Sequence, residues 1–160
     1  MQSKAKKWMR LMVCTAACVT ATWSYAENQH AIFTPADIKW AAGPDSLPKG
    51  VEVAVLEGDP SKAGPFTIRL KMPANYRIPP HMHPTIEHVT TITGAINIGM
   101  GDKFDEKLAK ELPAGSFGYM DIGMHHFAFT KQPTTIQLHG QGPWGISYIN
   151  PQDDPRNQKK

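Results

Sequence analysis

Closely spaced prolines and glycines constrain the fold of this chain more than any other feature. The 160 residues include 14 prolines and 13 glycines, spread along the sequence. Proline inside a helix removes a backbone hydrogen bond and clashes with the preceding turn, and glycine there costs conformational entropy. The sequence is therefore unsuited to long helices, and we expect many short strands that are joined by turns.

Alternation of apolar and polar residues marks the strands. Four apolar residues between Phe66 and Met72 alternate with polar ones, the pattern of a half-buried strand. Segment 102–112 differs, because Phe104, Leu108 and Leu112 are four residues apart, which predicts a short helical insertion or a strand–loop excursion. Short strands with Gly/Pro turns predict a single all-β domain, a sandwich or barrel. The other predicted strands cover 51–55, 86–92, 95–100, 117–120, 126–130, 135–139 and 144–149.

The first 26 residues have the three parts of a secretory signal peptide. Residues 1–10 are basic, residues 11–23 are uncharged and mostly small or apolar, and Ser24 and Ala26 are small residues before a cleavage site. The apolar stretch is shorter than the roughly 20 residues that a membrane span needs. We expect cleavage after Ala26 and a mature protein that is periplasmic or secreted, with no membrane attachment.

Both cysteines lie within this predicted signal peptide. Without Cys14 and Cys18, the mature chain has no disulfide and no thiol chemistry. The residues from Thr15 to Cys18 also resemble a lipoprotein acceptor site, so lipidation at Cys18 is the alternative to simple cleavage.

The positive net charge also belongs to the N-terminus. The chain carries 17 Lys and Arg against 14 Asp and Glu, a net charge of +3. Residues 1–26 hold four of the basic residues (Lys4, Lys6, Lys7 and Arg10) and no acidic one, so 13 basic and 14 acidic residues remain. Nucleic-acid binding requires a basic surface on the folded domain. We therefore predict no nucleic-acid partner.

The mature chain is predicted to have three parts. Residues 27–50 form an N-terminal loop and edge-strand segment, residues 51–150 form the barrel, and residues 151–160 form a polar C-terminal tail. An unpaired apolar edge strand invites a partner strand. Residues 31–33 (Ala-Ile-Phe) are such an edge, and we predict that they pair two copies of the chain into a homodimer.

A cluster of histidines is the most informative motif. His81, His83 and Glu87 have the same parity, so in an extended strand their side chains project to one face. Two imidazoles and a carboxylate that converge on one face are typical of a metal site. A second cluster, residues 123–126, includes His125 and His126 and follows another predicted strand, from which one histidine would complete the site.

These two clusters resemble the two motifs of the cupin superfamily. The first cupin motif is G-x5-H-x-H-x3,4-E-x6-G, and this chain has Asn75, His81, His83, Glu87 and Gly94 at that spacing. Only the opening glycine is replaced, by Asn75, and asparagine also tolerates a positive φ.

The second cupin motif is G-x5-P-x-G-x2-H-x3-N. The chain has Gly115, Gly123 and His126 at the required spacing, with Asp121 in place of the proline and Thr130 in place of the asparagine. The resemblance covers residues 75–130 and implies a cupin double-stranded β-helix, which is a jelly-roll barrel.

The resemblance also implies a set of metal ligands. His81, His83, Glu87 and His126 would hold one divalent transition-metal ion (Fe, Mn, Ni or Zn). His125 is the alternative to His126, because neighbouring residues in a strand point to opposite faces.

Some residues outside the predicted ligand set are candidates for the lining of the pocket beside the metal. His88 has the opposite parity and is expected to face away from the metal, whereas Gln137 and His139 either face water or line the pocket. Several large residues are candidates for the pocket lining, with core packing as the competing interpretation: Met72, Tyr76, Phe117, Met120, Phe127 and Phe129.

A metal site in a cupin barrel predicts a metal-dependent enzyme that acts on a small organic substrate. Dioxygenase, decarboxylase, lyase and isomerase reactions all occur on this fold, and the fold does not choose between them. No second ionisable group stands out as a general base, so no catalytic residue is assigned. The alternatives are a non-catalytic periplasmic binding protein for a sugar or organic acid, and a structural cupin without a metal.

Overall fold

The computed structural model describes residues 30–158, so the predicted signal peptide lies outside the described residues. The described part from residue 33 onward belongs to one compact unit. No helix within residues 30–158 is long and apolar enough to cross a membrane. Ile32 and Phe33 are 84% and 46% exposed, and their pairing with a second copy stays a prediction.

Two antiparallel sheets make up the fold, which confirms the predicted all-β jelly roll. One sheet has six strands in the order β1-β2-β3-β10-β5-β8, and the other has five in the order β11-β4-β9-β6-β7. The strands are β1 (Ala41–Ala42), β2 (Glu52–Glu57), β3 (Gly64–Met72), β4 (Arg77–Met82), β5 (Glu87–Thr93), β6 (Ala95–Met100), β7 (Lys110–Pro113), β8 (Phe117–Met120), β9 (His126–Thr130), β10 (Thr134–Gly142) and β11 (Ser147–Tyr148).

Strand β3 shows why the alternating pattern produces this architecture. Phe66, Ile68, Leu70 and Met72 are all at most 5% exposed, and the residues between them are more exposed. The inward side chains of both sheets pack together, and burying a side chain of this size contributes about 1.5–3 kcal/mol. The core therefore lies between the two sheets, where β4, β5 and β9 also present one face.

Helical structure within residues 30–158 is limited to short 3₁₀ turns. Segment 102–112 contains one such turn, Glu106–Leu108, followed by β7. The four-residue spacing does not create one apolar face, because Leu108 is 68% exposed while the Phe104 ring packs against Phe127, with 4.8 Å between centroids. The strand–loop alternative is therefore the better description. The other turns are Pro35–Asp37, Pro151–Asp153 and Pro155–Asn157.

The turn before β4 explains two of the three departures from the cupin motifs, Asn75 and Thr130. Asn75 has a φ of 59°, so it adopts the left-handed conformation that the motif usually assigns to glycine. Thr130, which replaces the motif asparagine, is buried; its hydroxyl accepts a hydrogen bond from the Tyr76 amide and donates one to the Pro73 carbonyl. These bonds fix the start of the strand that carries His81.

Candidate metal centre

Both sheets contribute to the histidine cluster. His81 lies on β4 directly opposite His126 of β9, while Glu87 begins β5 in the other sheet. The backbone bends at Pro84 and Thr85, so the strand does not continue from His83 to Glu87. The shared parity of these residues was therefore the wrong reason for their convergence. They meet because the chain crosses between the sheets and both strands face the interior.

The four side chains are buried and close together. His81, His83, His126 and Glu87 are 3%, 4%, 2% and 6% exposed. One ring nitrogen of each histidine lies within 4.8 Å of the others, so this buried triad could hold a metal ion. Glu87 is not a member of that triad, but its oxygens lie 3.5 Å from His83 Nε2 and 3.3 Å from His126 Nε2.

Backbone carbonyls determine which nitrogen of each imidazole ring is left without a proton. Nδ1 of His81 lies 2.7 Å from the Pro79 carbonyl, Nδ1 of His83 lies 2.7 Å from the Gly145 carbonyl, and Nδ1 of His126 lies 3.0 Å from the carbonyl of residue 124. A carbonyl only accepts hydrogen bonds, so each Nδ1 carries the proton. Each neutral ring therefore has an unprotonated Nε2, the form that binds a metal.

This arrangement fits a bound cation. Nε2 of a neutral imidazole and the oxygens of a carboxylate are all acceptors, and acceptors do not stabilise one another without a proton or cation between them. His83 Nε2 is buried and has no hydrogen-bond partner among the described residues. Three imidazole nitrogens and one carboxylate are a donor set that suits a divalent transition metal.

Burial and neighbouring charges shift the pKa values of this cluster. Burial, together with His126 and His83, lowers the pKa of His81 to about 3, and burial also lowers the pKa of His83. For Glu87, burial raises the pKa, but the neighbouring imidazoles of His126, His83 and His81 outweigh it and lower the pKa. The two histidines are thus neutral and the carboxylate ionised near neutral pH, as metal binding requires.

His126, rather than the neighbouring His125, lies beside the other candidate ligands. His125 Nδ1 is 2.6 Å from Asp102 Oδ1, and its side chain is 37% exposed. The Gly123 amide donates to the His83 carbonyl, which anchors the turn before β9 close to the cluster.

His88, Gln137 and His139 all lie on the outer face of the six-stranded sheet. The His88 and His139 rings are stacked with 4.6 Å between centroids, and Gln137 Oε1 accepts a hydrogen bond from Arg69 Nε. None of the three borders the cavity beside the histidine cluster. The prediction that His88 faces away from the candidate metal site is confirmed. Of the two interpretations of Gln137 and His139, the outer face is the correct one, because neither residue lines the pocket.

A cavity of about 320 Å³ adjoins the histidine cluster. Of the six large residues considered as pocket lining, Met120 alone borders it; Phe117 is 56% exposed, and the other four are buried away from the cavity. Aliphatic side chains from both sheets form most of the wall: Leu47, Val53, Val55, Ile68, Leu70, Ile78, Val89, Ile96, Ile98, Ala128, Ile136, Leu138 and Ile146.

Charged groups are scarce around this cavity. Apart from the candidate ligands, Asp59 is the one titratable residue among the described residues that border it. Its carboxylate accepts hydrogen bonds from the Ser61 hydroxyl and amide, which together with Lys62 lower its pKa to about 2. The cavity therefore offers a mainly apolar environment, and the candidate ligands are the largest group of polar side chains that border it.

Trp144 was not predicted from the sequence to be part of the candidate site. Its indole stacks on the His83 ring with 4.4 Å between centroids and 16° between planes, and it borders the cavity. The residue lies in a Gly/Pro-rich segment outside both cupin-like motifs. An aromatic residue among turn formers was the available signal, but it does not indicate which histidine the ring contacts.

Comparison with protein families finds a match that covers most of the chain. The model of the family described as ChrR Cupin-like domain matches residues 28–145, which include the whole histidine cluster. A comparison with curated protein sequences finds no significant match.

Solved structures share the fold at low sequence identity. The polyketide cyclase RemF from Streptomyces resistomycificus is 15% identical, with a TM-score of 0.67 over 79% of this chain and 90% of that chain. A putative acetylacetone dioxygenase from Methylibium petroleiphilum is 15% identical, with a TM-score of 0.61 over 82% and 88%. The DMSP lyase DddQ from Ruegeria pomeroyi is 17% identical, with a TM-score of 0.56 over 71% and 61%.

The low pKa of His81 predicts a pH dependence of stability for the metal-free protein. Below pH 6.5 the unfolded chain protonates this histidine and the folded chain does not, so stability falls as pH falls from 6.5 toward about 3. Between pH 7 and pH 5 the loss that is due to His81 should be about 2 kcal/mol. Urea unfolding with a chelator present measures it, and His81→Gln should show a correspondingly smaller loss.

The exposed residue His30 provides the control for this comparison. The variant His30→Gln should keep the pH dependence of the wild type. If His81→Gln and the wild type lose the same stability between pH 7 and pH 5, then His81 is not held neutral by burial.

Proposed function

The chain belongs to the ChrR cupin-like domain family, and from this premise we propose that it is a metal-dependent enzyme acting on a small, mainly apolar organic substrate. One observation carries the proposal: three imidazole Nε2 atoms and one carboxylate, all acceptors, face one another beside an apolar cavity. A purely structural barrel gains nothing from burying these groups, because buried polar groups without partners are destabilising.

His81, His83, His126 and Glu87 are the residues that would hold one divalent ion of Fe, Mn, Ni or Zn. When bound there, the ion would supply Lewis acidity or redox chemistry to a substrate oxygen. Histidine binds a metal in its neutral form and glutamate as a carboxylate, so a divalent ion at this site would keep one uncompensated positive charge. That charge favours a substrate with a carbonyl, enol or similar oxygen at one end.

The cavity wall supports an apolar substrate better than a sugar. A sugar buried in a protein needs hydrogen-bond partners for its hydroxyl groups, because an unpaired buried hydroxyl costs free energy. The aliphatic wall offers few such partners away from the candidate ligands. A molecule with a compact hydrocarbon part would instead gain about 25 cal/mol for each Å² of apolar surface that it buries.

Several classes of reaction occur on this fold. A cyclase, a dioxygenase and a lyase are among the proteins that share this fold, and at these identities the likeness extends to the fold alone. The alternative remains a non-catalytic protein that binds an organic acid or sugar in the same cavity, and turnover of a bound ligand separates this alternative from an enzyme.

We also propose that the chain is exported, because residues 1–26 have the pattern of a signal peptide. Protein recovered from the periplasmic fraction of a bacterial host should begin at Glu27 when its N-terminus is sequenced. Recovery of the chain from the cytoplasm with residues 1–26 intact would contradict export.

Metal content tests the proposed centre directly. Wild-type protein purified without added metal should contain close to one transition-metal ion per chain by plasma mass spectrometry. His81→Gln and Glu87→Gln should lose at least about tenfold in metal affinity, since even the loss of a residue that only orients a ligand costs this much.

The matched control is His125→Gln, because His125 adjoins His126 in sequence but contacts Asp102 instead of the cluster. This variant should keep the metal content of the wild type. Metal content that is unaffected in both His81→Gln and Glu87→Gln would remove the assignment of these ligands.

The class of substrate can be probed with two small molecules. We expect 2,4-pentanedione, which is compact and largely apolar, to change the visible spectrum of the cobalt-loaded protein, and glucose to leave it unchanged. Ala128→Val narrows the cavity and should weaken the binding of the diketone, while Ala41→Val, an exposed position on β1, should not.

The same samples separate catalysis from binding alone. Mass spectrometry of the mixture, with and without oxygen, shows whether a bound compound is consumed by the iron-loaded protein. Tighter binding of glucose than of the diketone would contradict the apolar substrate and favour the sugar-binding alternative.

A further inference from the structure

His83 is held differently from the other two histidines. His81 and His126 each donate from Nδ1 to a carbonyl two residues earlier in the chain, so their own strands orient them. His83 donates instead to the carbonyl of Gly145, 62 residues away. The orientation of this one ring therefore depends on a segment outside the two cupin-like motifs.

The segment that orients His83 is residues 143–146, which we call the arm. It holds the ring from two directions, because the Gly145 carbonyl accepts from Nδ1 while the indole of Trp144 stacks on the ring face at 4.4 Å. Phe66 lies beside the indole, with 5.5 Å between centroids. Rotation of the His83 ring would break the hydrogen bond and the stacking contact together.

Contacts outside the cluster hold the arm itself in place. The Trp144 amide donates to the Pro60 carbonyl at 2.6 Å, and Arg156 Nη2 donates to the Ile146 carbonyl at 3.2 Å. The Arg156 guanidinium is fixed by two hydrogen bonds to the Asp154 carboxylate, at 2.8 Å and 2.7 Å. The C-terminal segment, predicted as a polar tail, thus reaches the arm that orients His83.

We propose that Trp144 and Arg156 are positioning residues for the metal centre, through which the arm and the C-terminal segment set the orientation of His83 and hence the metal affinity. This inference rests on the proposed function, since it requires metal binding at the histidine cluster. Arg156 does not border the cavity, and its hydrogen bond to the Ile146 carbonyl connects it to the arm.

Metal affinity is expected to depend on the arm because the arm preorganises one ligand, His83. A metal-binding histidine whose other nitrogen has a fixed hydrogen-bond partner keeps its tautomer and ring orientation, and loss of such a partner typically lowers metal affinity about 10- to 100-fold. His81 and His126 keep their partners whatever the arm does. Loosening the arm therefore removes the Nδ1 partner of one ligand, His83, and leaves the Nδ1 partners of His81 and His126 in place.

Cobalt(II) titration of the full-length protein tests this inference, with dissociation constants and the visible absorption spectrum as readouts. Trp144→Leu and Arg156→Ala should each weaken cobalt binding about tenfold or more and alter the absorption bands. Trp144→Phe, which keeps an aromatic ring on His83, should restore most of the affinity.

Two variants outside the arm serve as matched controls. Trp40→Leu removes a tryptophan that does not border the cavity, and Arg69→Ala removes an arginine that bonds Gln137 on the outer face. Both should bind cobalt as the wild type does. Far-ultraviolet circular dichroism of every variant checks that it is folded, and the partly exposed Arg156 keeps the test valid if Trp144→Leu fails to fold.

A double-mutant cycle shows whether the effect passes through His83. Arg156→Ala should weaken cobalt binding in a His81→Gln background and have no further effect in a His83→Gln background. Equal affinities and spectra for the wild type, Trp144→Leu and Arg156→Ala would overturn this inference alone. Absence of cobalt binding by the wild type would overturn the proposed function as well.

Discussion

The burial of one carboxylate among three imidazoles is the constraint on which this structure depends. Glu87 lies in the interior with its oxygens within 3.5 Å of His83 Nε2 and His126 Nε2, and each ring is fixed by a carbonyl behind it. Groups of this kind are stable inside a protein only when charge and hydrogen bonds are compensated. The local backbone holds these four acceptors close together, in an arrangement that a cation could compensate.

The space between the two sheets contains both a tightly packed region and the cavity beside the histidine cluster. One part of the space between the sheets is filled by side chains such as Phe66 and Met72, each 1% exposed. Another part stays open as the cavity, with aliphatic walls and the histidine cluster on one side. In such apolar surroundings water screens charges less than in bulk solvent, so electrostatic interactions with a bound ligand are stronger.

Much of the candidate site could be predicted from the sequence because cupin-like spacing depends on local geometry. The spacing selected His81, His83, Glu87 and His126, and these four side chains are close together in the fold. The reason given for their convergence was wrong, since the backbone bends at Pro84. Spacing identifies the partners of a motif without revealing whether one strand or two sheets bring them together.

The sequence by itself determined the strand pattern, the absence of long helices from residues 30–158 and the identity of the four clustered side chains, because periodicity, turn residues and motif spacing are local properties. Only the tertiary structure decided which large residues border the cavity, that Leu108 faces water, and that Trp144 stacks on His83. These outcomes depend on contacts between segments that are far apart in the chain, and the local order of residues does not encode the distance between such segments.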